Sequence, residues 1–132
     1  SPLSLIEYLD TRNKTICLPM VVNKKQPLIF KPWRPGKKMV IGHYGISVPD
    51  NDQTLIPDLI ICPLLAYDSK GMRLGYGGGF YDRTIKYFRK NKQVKYIGLA
   101  FSGQKSYHDL PSEVHDVPLD AVLTETGVDY FQ

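Results

Sequence analysis

Apolar side chains recur at Leu3, Ile6 and Leu9 in the opening stretch SPLSLIEYLDTRN. That spacing predicts a short helix with Ser1 as N-cap, Pro2 in the first helical position and Asn13 as its stop. The period then changes. Thr15 to Val22, Pro27 to Lys31 and Met39 to Ile41 are short β-prone runs broken by Pro, Gly, Asn and Lys, and they predict strands with tight connections. Asp58-Leu59-Ile60-Ile61-Cys62, bounded by Pro57 and Pro63, reads as a strand buried on both faces. In FYDRTIKYFRK, residues 80–90, Tyr81, Ile85 and Phe88 fall on one face while Arg83, Lys86, Arg89 and Lys90 point outward. This predicts a helix that Asn91 ends. Lys95 to Phe101 and Ala121 to Thr124 are further buried-strand candidates. Strand, loop, helix and strand form a βαβ unit, which favours an α/β fold with a mostly parallel central sheet flanked by helices. Ligands of such sheets bind outside the carboxyl ends of the strands.

Composition narrows this picture. A chain of 132 residues, 42% hydrophobic and 23% charged, suits one compact domain, 1–132, and no repeat or linker divides it. The longest apolar run, Leu55 to Tyr67, is broken by Pro57, Asp58 and Pro63, short of the ~18 consecutive residues of a membrane span. A soluble protein with no membrane partner is expected. Cys17 and Cys62 lie in separate apolar runs without CxxC spacing, so both are read as buried free thiols in a reducing cytoplasm. The chain starts at Ser1 with no basic-then-apolar leader, and is read as a processed or truncated start. The net charge of +4 is concentrated in Lys24 to Lys38 and Arg83 to Lys95, and no basic residue follows Lys105. Such faces attract nucleic acid, nucleotide phosphates or acidic metabolites, or simply remain solvated.

The strongest chemical signal is LLAYDSKGMRLGYGGGFYD, residues 64–82. A glycine-rich loop between strand and helix brings backbone N–H groups close to an anion where the helix dipole also favours negative charge. Gly75-x-Gly77-Gly78-Gly79 is neither GxxxxGK[ST] nor GxGxxG. Arg73 is placed to pair with a phosphate, and Asp82, in the first helical turn, to hold Mg²⁺ against it. Asp120, just before a predicted strand, is a second candidate carboxylate. The ordinary alternatives are a tight turn for the glycines, favourable dipole placement for Asp82 and a plain turn residue at Asp120.

Residues 63–85, PLLAYDSKGMRLGYGGGFYDRTI, resemble the D-x-x-G-x-R-L-G-x-G-x-G-[FY]-Y-D signature of the 5-formyltetrahydrofolate cyclo-ligase family, also called 5,10-methenyltetrahydrofolate synthetases. PLIFKPWRPG (27–36), HYGISVP (43–49) and VPLDAV (117–122) extend the resemblance over essentially the whole chain. It implies a three-layer α/β/α fold of the NagB/RpiA/CoA transferase-like kind. It also implies ATP- and Mg²⁺-dependent closure of 5-formyltetrahydrofolate to 5,10-methenyltetrahydrofolate through a phosphorylated formyl group, in a cytoplasmic monomer without nucleic acid. Carried over by position, Arg73 would serve catalysis, and Arg73, Leu74, Gly75, Tyr76, Gly77, Gly78, Gly79, Phe80 and Tyr81 would bind ATP. Tyr44, Tyr76, Gly77, Gly78, Gly79 and Phe80 would border the folate, and Asp82 and Asp120 would bind Mg²⁺. Tyr44 alone reads equally as a partly buried core tyrosine. The family's upstream helical segment, with a Lys and an Arg for the phosphates and an acid for the pterin, has no counterpart here, so an N-terminally incomplete domain is expected. The competing readings are a non-catalytic nucleotide- or folate-binding relative, and a basic nucleic-acid module using Lys24 to Lys38 with Phe30, Trp33 and Tyr44 as stacking rings.

Overall fold

Helix α1 spans Pro2–Thr11 in the computed structural model, which describes residues 2–131; the expected cap Ser1 lies outside them. Asn13 adopts φ 58°, the left-handed conformation that ends helices, and its N–H bonds the Asp10 carbonyl at 3.0 Å. Backbone contacts divide the chain into two compact units, Ser1–Pro57 and Asp58–Gln132.

In the first unit, β1 (Ile16–Met20) pairs antiparallel with β2 (Ile29–Trp33), placing Leu18 opposite Lys31. Strands β3 (Met39–Ile41) and β4 (Ser47–Pro49) form a second antiparallel pair centred on Val40 and Val48. Leu28, Phe30, Val48 and Pro49 are buried in this unit. Lys31 donates to the carbonyl of Asn51, whose amide donates to the Pro32 carbonyl at 3.0 Å, so the segment after β4 is tied to β2.

The second unit is built on β5 (Leu59–Pro63), β8 (Lys95–Leu99), β9 (Ala121–Thr124) and β10 (Gly127–Tyr130), in spatial order β10-β9-β8-β5. The pairs β5–β8 and β8–β9 are parallel, and β9–β10 is an antiparallel hairpin. The sheet is therefore mixed, because a short turn at Glu125 and Thr126 lets the chain reverse directly. Between β5 and β8 come the small ladder β6 (Ala66–Tyr67) with β7 (Arg73–Leu74) and helix α2 (Phe80–Phe88). α2 is the only α-helix of this unit among the described residues.

Burial alternates along β5: Ile60 and Cys62 are inside, while Leu59, Ile61 and Pro63 are exposed. A continuous apolar run thus does not make β5 a strand covered on both faces. On the inward side it meets Tyr96 and Gly98 of β8, with Thr84 and Ile85 of α2 also buried. Gly98 is demanded by packing, since a Cβ there would lie 2.7 Å from Leu64 and 3.0 Å from Leu119.

Candidate functional site

The approach to the glycine loop is set by a buried carboxylate. Asp68, 1% exposed, accepts from the amides of Lys70 and Met72 through Oδ1 (2.9 and 3.0 Å) and of Leu110 through Oδ2 (2.9 Å). The carboxylate thus closes an Asx-type turn between β6 and β7, and the three donors offset its burial. Gly71 completes that turn at φ 83°, where a Cβ would come within 2.8 Å of the Leu119 carbonyl oxygen. No sequence reading singled out Asp68, although D-x-x-G is the signal that could have.

Beyond β7 three consecutive glycines turn left-handed: Gly77 at φ 93°, Gly78 at 81° and Gly79 at 65°. A Cβ at Gly77 would meet nothing within 4 Å, so conformation alone selects glycine there. Gly79 is the N-cap of α2 and supplies no side-chain cap, so the first-turn amides are left to the loop and to any anion it holds. Gly77 and Gly78 are exposed, as is Tyr76 between Gly75 and Gly77.

Beneath this loop lies Arg73, its side chain only 9% exposed. Nε donates to the Tyr96 hydroxyl at 2.7 Å, and Nη2 lies 3.7 Å from Oδ2 of Asp82. The Tyr81 and Tyr96 rings flank the guanidinium at 5.7 and 5.9 Å. Nη1 occupies the space a Cβ on Gly75 would need, which explains a glycine at that position without any positive φ. Cys62 completes the cluster. Burial pushes its thiol up to about 11, against the pull of Arg73 and a hydrogen bond with Tyr96. Burial likewise pushes the Tyr81 phenol up to about 12, so both groups are neutral at physiological pH.

Asp82 accepts the Val117 amide through Oδ1 at 3.1 Å. The residue before Val117 is Asp116, a half-buried carboxylate that the sequence reading passed over and whose Oδ2 accepts the Glu113 amide at 2.8 Å. A second arginine approaches as well. Nη1 of Arg83 lies 3.1 Å from where a Cβ on Gly79 would stand, and its guanidinium packs over Phe80 at 5.1 Å. Helical periodicity turns Arg83 outward; the side chain instead reaches back over the loop, because the aromatic face of Phe80 offers it a better place.

The arrangement is a run of left-handed glycines at a helix start, backed by a buried cation and edged by a carboxylate. The model of the 5-formyltetrahydrofolate cyclo-ligase family matches residues 1–125. The chain belongs to this family. Among its relatives, the 5-formyltetrahydrofolate cyclo-ligase of Haemophilus influenzae is 40% identical over 129 residues, covering 93% of this chain and 68% of that protein. The cyclo-ligase of Escherichia coli is 36% identical over 130 residues, covering 94% and 70%. A solved 5,10-methenyltetrahydrofolate synthetase from Aquifex aeolicus superposes with a TM-score of 0.75 at 28% identity, over 100% of this chain and 66% of that one. The chain thus spans about two thirds of the length of these proteins.

The structure gathers Arg73, Gly75, Gly77, Gly78, Gly79, Phe80, Tyr81 and Asp82 around one loop, with Leu74 and Tyr76 exposed along it. It does not bring Asp120 to Asp82. Oδ2 of Asp120 binds Arg89 and the Tyr96 amide, both at 2.8 Å, at the amino ends of the strands. Arg89 is the C-cap of α2, seven residues beyond Asp82, or about 10 Å along the axis. An open concavity of about 770 Å³, lined by Arg89, Lys92, Lys95 and Asp120 among others, lies at that opposite end and away from the glycines. Tyr44 belongs to the first unit and is 59% exposed at φ 60°, which a core tyrosine would not be. Among the described residues no three His, Cys, Asp or Glu side chains form a metal-binding group. Among the described residues no helix is long and apolar enough to cross a membrane.

Proposed function

We propose that the protein converts 5-formyltetrahydrofolate to 5,10-methenyltetrahydrofolate at the expense of ATP, and that the loop at 73–82 holds the nucleotide phosphates. The observation that carries this reading is the run of three left-handed glycines at the uncapped start of α2, directly above the buried Arg73. In the reaction the terminal phosphoryl group passes to the formyl oxygen, N10 attacks the activated carbon, and phosphate departs to leave the methenyl bridge and ADP. Such a transfer needs positioning and charge neutralisation rather than a protein nucleophile. The amides of the loop orient the phosphates, and Arg73 offsets their charge from a site largely closed to water. Phe80 and Tyr76 offer flat faces for the folate.

The residues present fit a hydrated Mg²⁺ ion. Asp82 keeps acceptor capacity beyond its bond from Val117, Asp116 is one residue away from that bond, and Mg²⁺ commonly binds through one or two carboxylates while keeping its waters. Bound there, the ion would neutralise phosphate charge. Asp120, engaged at the other end of α2, finds less support as its partner.

The family match runs across both backbone units, which supports one cyclo-ligase domain over 1–132. The exposed face of β5 is what a sheet with a further helical layer would offer, in keeping with a three-layer α/β/α arrangement of the whole protein. A nucleic-acid role for Lys24 to Lys38 finds less support, since Phe30 is buried and Trp33 half-buried. The deciding experiment follows methenyl-folate absorbance with 5-formyltetrahydrofolate and Mg-ATP, alongside calorimetric Mg-ATP binding. Turnover that needs ATP supports the cyclo-ligase reading. Binding of nucleotide and folate without turnover favours a non-catalytic relative, and binding of neither overturns both.

A further inference from the structure

We propose that Tyr96 is a positioning residue for the glycine loop: its hydroxyl holds the Arg73 guanidinium against Gly75 and Asp82, and so sets the loop's affinity for nucleotide phosphates. The inference rests on the reading of this loop as the ATP site.

Tyr96 lies 23 residues from Arg73 and meets it through its hydroxyl, which accepts from Nε at 2.7 Å. It sits on β8, paired on one side with β5 and on the other with β9, so its hydroxyl is held by a strand with neighbours on both sides. Its backbone is anchored too, since the Tyr96 amide donates to Asp120 and its carbonyl accepts from the Asp120 amide at 2.7 Å. A guanidinium is planar, and pinning Nε limits its rotation about the Cδ–Nε bond. The two Nη groups then have one orientation: Nη1 under Gly75 and Nη2 toward Asp82.

The Nη2 separation of 3.7 Å exceeds a hydrogen bond. Asp82 therefore attracts Arg73 without saturating its donors, and the positive charge remains directed at the loop. Without the Tyr96 hydroxyl, Nε would be buried with no acceptor at that side, and the guanidinium would be drawn either toward Asp82 or out toward water. Each movement withdraws charge from beneath Gly75.

The test uses the whole chain and Mg-ATP as the probe. Tyr96→Phe keeps the ring and removes the acceptor. Mg-ATP binding should weaken roughly 10- to 100-fold by calorimetry, as loss of a hydrogen bond to a charged group implies. Affinity for 5-formyltetrahydrofolate should be unchanged. Arg73→Lys, which lacks Nε–H, should itself weaken Mg-ATP binding, and adding Tyr96→Phe to it should cost nothing more. Equal losses from Tyr96→Phe in both backgrounds, or no loss in either, would overturn the proposal while leaving the ATP site intact. If Arg73→Lys alone leaves Mg-ATP binding unchanged, the site reading fails and the inference falls with it. Should Tyr96→Phe not fold, the wild-type Arg73 Nε–H resonance decides. Protection from solvent exchange with a shift on adding Mg-ATP supports the role, and exchange as fast as in exposed arginines, or no shift, refutes it.

Discussion

Two arginine–aspartate pairs stand at the two ends of α2, and they differ in everything but composition. At the C-terminal end Arg89 meets Asp120 at 2.8 Å, with side chains 33% and 43% exposed. At the N-terminal end Arg73 lies 3.7 Å from Asp82, with side chains 9% and 16% exposed. The shorter contact is the more ordinary. It closes the end of a helix, where Arg89 also donates to the Val94 carbonyl at 3.1 Å, and water screens it. The longer one is an unsaturated pair in a low-dielectric cluster beside exposed left-handed glycines, and the proposed nucleotide site depends on the charge it leaves uncompensated. Distance alone does not report which of the two pairs is the more buried.

Asp82→Asn should break the comparison most visibly. Removing the carboxylate that edges the cradle should weaken Mg-ATP binding about 10- to 100-fold by calorimetry, with the fold retained in circular dichroism. Wild-type affinity in this variant would remove Asp82 from the metal role. Asp116→Asn tests the neighbouring carboxylate in the same titration.

Gly75→Ala probes the buried pair from above. The new methyl group must displace the guanidinium of Arg73, which Tyr96 and Asp82 hold, and overpacking of this kind costs about 1–3 kcal/mol. A fall in the urea midpoint together with weaker Mg-ATP binding is expected. Gly77→Ala, with open space around it, should be strained only by its φ of 93°.

Alkaline pH should sharpen the contrast. The Cys62 thiol sits at about 11 in the folded chain against an ordinary value near 9.0, chiefly through burial. Between those values the unfolded chain has released a proton that the folded chain retains, so this stabilisation is complete below pH about 9 and lost as pH rises through about 11. Up to roughly 3 kcal/mol is involved at about 1.4 kcal/mol per unit. Urea denaturation of the wild type and of Cys62→Ala from pH 8 to 11 should show the steeper decline in the wild type alone. Under native conditions a thiol reagent should reach half-buried Cys17 before Cys62.

Asp120→Asn should have the smallest effect. Loss of a partly exposed ion pair costs about 1 kcal/mol or less, and Mg-ATP binding should stay at the wild-type value. A large loss of Mg-ATP affinity would erase the distinction between the two ends.

Local pattern was enough for much of this protein. The spacing of Leu3, Ile6 and Leu9, of Tyr81, Ile85 and Phe88, and the runs at Met39–Ile41 and Ala121–Thr124 correspond to α1, α2, β3 and β9. These elements were legible because helix and strand periods act between residues a few positions apart. The glycines were legible for the same reason, since φ above zero at three adjacent positions excludes other residues locally. Strand pairing and charge partners belong to a different class. Nothing near Asp120 in the chain reports that it lies beside Arg89 rather than Asp82, or that Asp116 precedes the amide bound to Asp82. Likewise, Arg83 appears outward by period until the Phe80 ring and Gly79 are placed around it, and DLIIC appears doubly buried until one face is seen uncovered. By itself the sequence determined the elements, the loop and the family signature. The tertiary structure alone decided which charges are buried, which are screened and which share a site, because those depend on contacts between residues 20 to 40 positions apart that no local period encodes.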